Sequence, residues 1–346
     1  MSDPDATFPG MKNWLPDPFI LSLLATVALA SVLPATGPAA PVVDWASRIA
    51  IGLLFFLHGA RLSRTAVLDG LRQPKLHLTV LGSTFLLFPL LGLGLQALFP
   101  TLLAPALWTG VLFVCTLSST VQSSIAFTSI ARGNIPAAVV AATASNLAGI
   151  LVTPLLAAVL LHRAGTTGGM GDGMSGGLDA VIGIVVQLLL PFVAGQALRP
   201  WIGEIAKRRN GVLGLVDRGS ILLAVYSAFS AAVSEGLWHL FPLHELGILI
   251  LVNGLLLGLV LAATTFGSRL LGFDRADEIV VVFCGSKKSL AAGIPMATVL
   301  FGASTAGVIL LPVMIFHQMQ LMVCAVLARR YAAATPQTRA VPAPAE

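Results

Sequence analysis

Apolar residues fall in long runs along this chain, separated by short gaps that hold most of the charges, prolines and turn residues. Ten runs are legible: Pro18–Pro34, Trp45–Leu62, Leu76–Phe99, Ala106–Ala131, Ala137–His162, Leu178–Trp201, Asp217–His239, Leu246–Leu271, Ala276–Phe301 and Ser304–Arg330. A helix needs about 20 such residues to cross a bilayer. The alternating stretches of roughly ten residues that a membrane barrel would need are absent. In lipid every backbone N–H and C=O must be satisfied within the segment, so continuous apolar runs fold as helices. The pattern predicts an all-α polytopic membrane protein with ten transmembrane helices. Composition agrees, since 56% of the 346 residues are hydrophobic and 10% charged, against about 25% charged in an ordinary soluble protein. The runs leave no stretch for a soluble domain.

The basic residues orient the map. Sixteen of the twenty Lys and Arg fall on one side: Lys12; Arg61, Arg64, Arg72 and Lys75; Arg132; Arg199, Lys207, Arg208, Arg209 and Arg218; Arg269 and Arg275; Arg329, Arg330 and Arg339. Arg163 alone falls on the other. Cytoplasmic loops collect Lys and Arg, so both termini are expected in the cytoplasm, with the chain multi-pass in a plasma membrane, the inner membrane of a bacterium. The net charge of +5 is dispersed over these gaps, which points to topology and a lipid bilayer, not to nucleic acid. Two early aspartates and no compact basic region precede the first run, so residues 1–17 read as a cytoplasmic N-terminus rather than a cleaved signal. Cys115, Cys284 and Cys324 lie within apolar runs with no ligand spacing and read as small core residues. No metal or cofactor is expected.

Between the fifth and sixth runs lies "AGTTGGMGDGMSGG", residues 164–177, a Gly-rich external linker. A phosphate-cradling loop would need a preceding strand and a following helix with a lysine, and neither is there. The linker divides the chain into five-helix halves, 18–163 and 178–331, followed by a disordered cytoplasmic tail, 332–346. An odd number of spans per half inverts the second half relative to the first, which is the architecture of inverted-repeat transporters. Such folds place their sites where equivalent helices of the two halves are broken. The fourth run carries Thr116, Ser118, Ser119, Thr120, Gln122, Ser123 and Ser124 within ten residues, and the ninth carries Gly285, Ser286, Lys287, Lys288 and Ser289. Two discontinuous helices crossing at the midplane are therefore expected.

The lysine pair is the costliest feature of the sequence. A lysine at the bilayer centre costs about 2.5–3.5 kcal/mol on insertion scales and persists only with partners or in a wet cavity. All fifteen acidic residues fall in termini, gaps or helix ends, so no carboxylate is expected beside the pair. That argues against a carboxylate-based cation/proton antiporter. It leaves two functional roles, one ammonium standing in for a bound cation among Ser118, Ser119, Gln122 and Ser145, the other attracting an anion. The plain structural alternative is that both lysines hydrogen-bond carbonyls freed by the break. Desolvation also offers a lysine proton as a route to proton coupling. His317 and Gln320 share a face of the tenth helix at i, i+3 and are expected to meet the lysines. His58, Asn253, Gln318, Tyr226 and Ser227 are weaker cavity candidates. Six scattered histidines and no paired carboxylates at depth argue against an enzyme, and the absence of a P-loop argues against ATP-driven transport by this chain.

Longer strings carry a family resemblance: "SSTVQSSIAFTSIARGN" in the fourth helix, "ATASNLAGILVTPLL" in the fifth, "LPFVAGQALRPW" in the sixth, "CGSKKSLAAGIPM" in the ninth and "PVMIFHQMQLMVCAVLA" in the tenth. The chain resembles the bile acid:sodium symporter superfamily, and more closely its orphan branch of sodium-symporter-like membrane proteins. The resemblance implies a panel domain of helices one, two, six and seven, a core domain of helices three to five and eight to ten, and alternating access for a small organic anion. Sodium-coupled members carry a glutamate and a Gln-Asn pair in the ninth-helix break, where this chain has Gly285-Ser286-Lys287-Lys288. Ser145 and Asn146 keep oxygen donors near the first sodium site, while Ala148 stands where a hydroxyl is expected. The expected function is thus secondary transport of an organic anion without conventional sodium coupling. Sodium-coupled anion symport and a non-transporting membrane sensor or regulator are the alternatives.

Overall fold

A computed structural model describes residues 18–61, 73–163, 190–208, 210–234, 236 and 242–334. The N-terminal segment 1–17, the Gly-rich stretch 164–177, the first part of the sixth run (178–189), Arg64, Arg72 and the tail from 335 lie outside the described residues, and so does the side chain of His58. Every regular element among the described residues is a helix. Among the described residues, seven helices are long and apolar enough to cross a membrane, and two shorter apolar ones accompany them.

Helix α1 is Pro18–Val32 and α2 is Ala39–Arg61. α2 starts six residues before the predicted run, because Pro41 is tolerated in a first turn, where its missing N–H is not needed. α3 spans Pro74–Leu98 and contains a π-helical turn at Ser83–Leu87. α4 (Pro105–Thr116) and α5 (Gln122–Ile130) come from one apolar run that is interrupted between them. α6 is Ile135–Arg163, α7 Leu190–Arg208, α8 Asn210–Ser234 and α9 Leu243–Leu270. α10 (Arg275–Gly285) is separated by a second interruption from α11 (Leu290–Ala334). α11 itself is divided at Gly302, whose φ of 72° is open to glycine and strained for other residues. It continues to Ala334, past the predicted end, because Tyr331 is buried and donates its hydroxyl to Glu278.

Small residues set the closest helix approaches. α2 and α7 pack through Gly59 and Gly195, where an added Cβ would lie 2.0 Å from the carbonyl oxygens of Phe192 and Phe56 respectively. Such small-residue contacts let backbones touch where lipid offers no hydrophobic drive. α8 packs on α1, α2 and α11, while α3 to α6 and α9 to α11 pack around one another. The main apolar core joins α4, α8, α9 and α11, with Phe113 edge-on to Phe301 and Phe88 edge-on to Phe316. The span Arg275–Gly302 is 89% buried within the protein, whereas the other six spans are 28–50% buried. The lysine-bearing segment is therefore enclosed by protein, which is where an intramembrane charge is tolerated.

Candidate functional site

The helix breaks at Leu117–Val121 and again at Ser286–Ser289. Leu117 turns to extended backbone, φ −68° and ψ 151°, and the last carbonyls of α4 lose their intrahelical donors. Buried carbonyls must find partners elsewhere, and here each can be followed. Thr116 Oγ1 donates to Phe113 O (2.8 Å), and the Leu117 N–H donates to Val114 O (3.2 Å). Lys288 Nζ donates to Cys115 O (2.9 Å) and Leu117 O (2.7 Å). Thr153 Oγ1 donates to Thr116 O (2.8 Å), and the Ser289 N–H donates to Ser118 O (2.8 Å), joining the two breaks through main chain.

Lys288 finds a third acceptor in Thr84 O at 2.7 Å. The π turn frees that carbonyl: the Phe88 N–H donates to Ser83 O instead, and Pro89, next in line, has no N–H. An ammonium has three donors, and all three meet carbonyls orphaned by broken helices. The charge also lies 4.0 Å from the centre of the Phe88 ring, a favourable cation–π contact. Lys287 points elsewhere. Its Nζ donates to Ser123 O (2.8 Å) at the start of α5 and lies 3.9 Å from the Phe127 ring centre and 5.3 Å from that of Phe283. Both side chains are fully buried, and neither pairs with a carboxylate among the described residues.

The Lys288 peptide is held as tightly as its ammonium. Its N–H donates to Gln320 Oε1 and its carbonyl accepts from Gln320 Nε2, both at 2.8 Å. The Gln320 amide thus acts as a surrogate peptide, satisfying a main-chain donor and acceptor that the break leaves unpaired. His317 Nδ1 accepts from Gln320 Nε2 at 2.8 Å. Around the fourth-helix break, the Ser119 N–H donates to Ser145 Oγ (3.1 Å), Ser118 Oγ donates to Asn146 Oδ1 (3.2 Å), and Ser124 Oγ donates to Phe283 O (3.1 Å). Thr120 and Ser123 share a hydroxyl contact at 2.6 Å. Gly149 makes room for this, since an added Cβ would lie 2.5 Å from Ser118 Cβ.

Most of the residues marked in the sequence therefore meet: Ser118, Ser119, Thr120, Ser123, Ser124, Ser145 and Asn146 on one side, and Lys287, Lys288, Ser289, His317 and Gln320 on the other. Two are placed differently. Gln122 is exposed, and Ser286 Oγ turns back to Val282 O on its own helix. The ammonium groups reach main-chain carbonyls, not the side chains of Ser118, Ser119, Gln122 or Ser145. Asn253 Nδ2 bonds Pro312 O on the neighbouring helix, and Tyr226 Oη bonds Leu33 O. Sequence reasoning missed Thr84 and the rings of Phe88, Phe127 and Phe283. Proline five residues after Thr84, in "STFLLFP", is the signal that a carbonyl there needs a donor from elsewhere. Glu278 stands at a helix end as expected, in the first turn of α10, but is buried there, held by Arg269 Nε and Nη2, Arg275 Nη1 and Tyr331 Oη. That acid precedes the end of α10 by seven residues, about 10 Å of helix, and is neutralised locally.

Residues 17–333 match the model of the SBF-like CPA transporter family. The Pseudomonas aeruginosa protein PA2026 is 55% identical over 320 residues, 92% of this chain and 94% of its own length. YfeH of Escherichia coli, which carries the name of a symporter, is 49% identical over 94% of this chain and 95% of its own. Sodium/bile acid cotransporter 7 of Danio rerio is 28% identical over 91% and 92%. The chain belongs to the SBF-like CPA transporter family, so the enclosed lysine site lies in a multi-pass membrane transporter and not in an enzyme.

Proposed function

We propose that this protein is a secondary transporter of small organic anions that works by alternating access, with a lysine ammonium in the role that a bound sodium plays in coupled relatives. The observation that carries the reading is Lys288: a buried cation on three main-chain carbonyls, from α3, α4 and the break that follows α4, with no carboxylate beside it among the described residues. A coupling ion in a broken-helix transporter ties unwound backbone together, and the ammonium does the same without leaving. Lys287, with one carbonyl and two ring faces, supplies the remaining positive charge that draws an anion toward Thr120, Ser123 and Ser124.

The wider architecture we propose is ten spans in two inverted five-helix repeats joined by the Gly-rich segment. α4–α5 and α10–α11 form the two broken helices, crossing at the midplane. α1, α2, α7 and α8, which pack on each other, form a panel, and the remaining helices form the core that moves against it. Both termini lie on the cytoplasmic side of a plasma membrane, a bacterial inner membrane. The names of the cotransporter 7 relatives support a bile-acid-like anion as the first class to try, and they also motivate the competing reading of sodium coupling.

Uptake of taurocholate into proteoliposomes, with sodium replaced by choline, tests the reading. Uptake that needs the protein and proceeds equally in choline is expected. A steep sodium requirement would return the chain to conventional symport. Measurable binding with no movement across the bilayer would make it a sensor.

A further inference from the structure

The Gln320 amide has a fixed orientation. Its oxygen faces the Lys288 N–H, which only donates, and its nitrogen faces the Lys288 carbonyl, which only accepts. Reversing the amide would set donor against donor and acceptor against acceptor. Both amide hydrogens are therefore committed, one to Lys288 O and one to His317 Nδ1, each at 2.8 Å. Nδ1 must present a lone pair, so the neutral ring carries its proton on Nε2. The same Nδ1 lies 3.4 Å from Lys288 O, the acceptor that Gln320 now uses.

We propose that His317 Nδ1 is a proton-binding site coupled to the ninth-helix break. A proton taken from water onto Nδ1 turns that nitrogen from acceptor to donor. It then stands donor to donor with Gln320 Nε2, 2.8 Å away, while Lys288 O at 3.4 Å offers it a lone pair, so the Gln320 amide is pushed from its seat. No covalent bond other than N–H changes, and the ring gains one positive charge. Histidine is the side chain whose charge changes near neutral pH, and the partly buried ring is not sealed as the lysines are. The new charge also repels the Lys288 ammonium on the residue whose carbonyl changes donor, so both effects loosen one peptide. That peptide is continuous with Ser289, whose N–H joins the break to Ser118 O.

Lys287 is turned to Ser123, and Cys115 and Cys324 are buried thiols. On the helices packed against α11, α5 has no titratable side chain, and α6 carries His162 and Arg163 only at its end. The carboxylates Asp44 of α2 and Glu245 of α9 stand in the first two turns, and Asp217 of α8 in the third. α2 also carries His58, about four turns beyond Asp44.

The inference rests on the transport reading only in calling the proton a coupling ion, and its test needs no substrate. Hydrogen–deuterium exchange of the Lys288 and Ser289 amides, corrected for intrinsic rates, is followed on the purified full chain in lipid nanodiscs. Protection is expected to fall about tenfold between about pH 8 and about pH 5.5, the loss of roughly one hydrogen bond. In His317→Gln, whose amide accepts from Gln320 but takes no proton, protection is expected to stay flat. A flat native profile, or the same fall in the variant, overturns the proposal. Nitrogen NMR of the native protein gives a check that needs no folded variant. The His317 ring should carry its proton on Nε2 at about pH 8, and a proton on Nδ1 there overturns the donor exchange. Failure of the taurocholate experiment would leave this exchange intact, and failure here would leave the uptake intact.

Discussion

Replacing Lys288 with methionine removes the charge while keeping most of the apolar stem. Three buried carbonyls, those of Thr84, Cys115 and Leu117, lose their donor, and an unsatisfied buried acceptor costs about 1–3 kcal/mol. The ring contact with Phe88 at 4.0 Å is lost as well, a further cost of about 1 kcal/mol. Against these stands the desolvation of a buried ammonium, several kcal/mol in order of magnitude, which the variant no longer bears. Breaking a buried charged set from one side nets about 3–5 kcal/mol of destabilisation, the range expected here. Lys287→Met gives up one carbonyl bond and two ring contacts, so its cost should be smaller by about 2 kcal/mol. Equilibrium unfolding in mixed micelles, with far-UV circular dichroism as the signal, measures both. A Lys288→Met protein as stable as the native chain, or more stable than Lys287→Met, would refute the carbonyl argument, because the three bonds would then contribute no more than the desolvation they offset.

Three other substitutions probe the frame around that cation. Gln320→Leu keeps the volume near that of the amide but strands both the N–H and the carbonyl of Lys288, so it should lower unfolding stability by about 2–4 kcal/mol, with Gln320→Glu losing less because the acceptor survives. Gly149→Ala drives a methyl to 2.5 Å from Ser118 Cβ; the overpacking should cost about 1–3 kcal/mol and shift the thermal midpoint accordingly. At Gly195 an added Cβ would meet the Phe56 carbonyl oxygen at 2.0 Å. Backbone cannot step aside there, so Gly195→Leu should separate α2 from α7, seen as a loss of crosslinking between cysteines placed at Leu53 and Leu198.

The helical, membrane-spanning class was legible because continuous apolar runs admit little else in lipid, and the two interruptions were legible because hydroxyls and lysines replace the apolar pattern at Leu117–Val121 and Ser286–Ser289. Helix ends were less so: proline in a first turn extended α2 and α3 backward, and a buried tyrosine extended α11 forward. The lysines were marked as important, yet their partners were not readable. A carbonyl carries no residue label, so the three acceptors of Lys288 could be found only through the lost N–H of Pro89 and the geometry of the π turn. For the same reason the sequence favoured hydroxyl side chains around the ammonium, where the structure supplies main chain. Gln320 was placed on the right face by its i, i+3 spacing from His317, but its pairing with the Lys288 peptide depends on the third-dimensional meeting of α11 with the break.

A lysine in the role of a coupling sodium should keep that ion out of the site. An ion placed about 4 Å from the ammonium would feel a repulsion of about 4 kcal/mol at an effective dielectric of about 20, close to a thousandfold in affinity. The most direct measurement is equilibrium binding of radioactive sodium to the purified protein, at fixed ionic strength with choline as the replacement. No saturable binding is expected up to about 100 mM, a concentration at which surface association is already well screened. Stoichiometric, saturable sodium binding that taurocholate strengthens would contradict it.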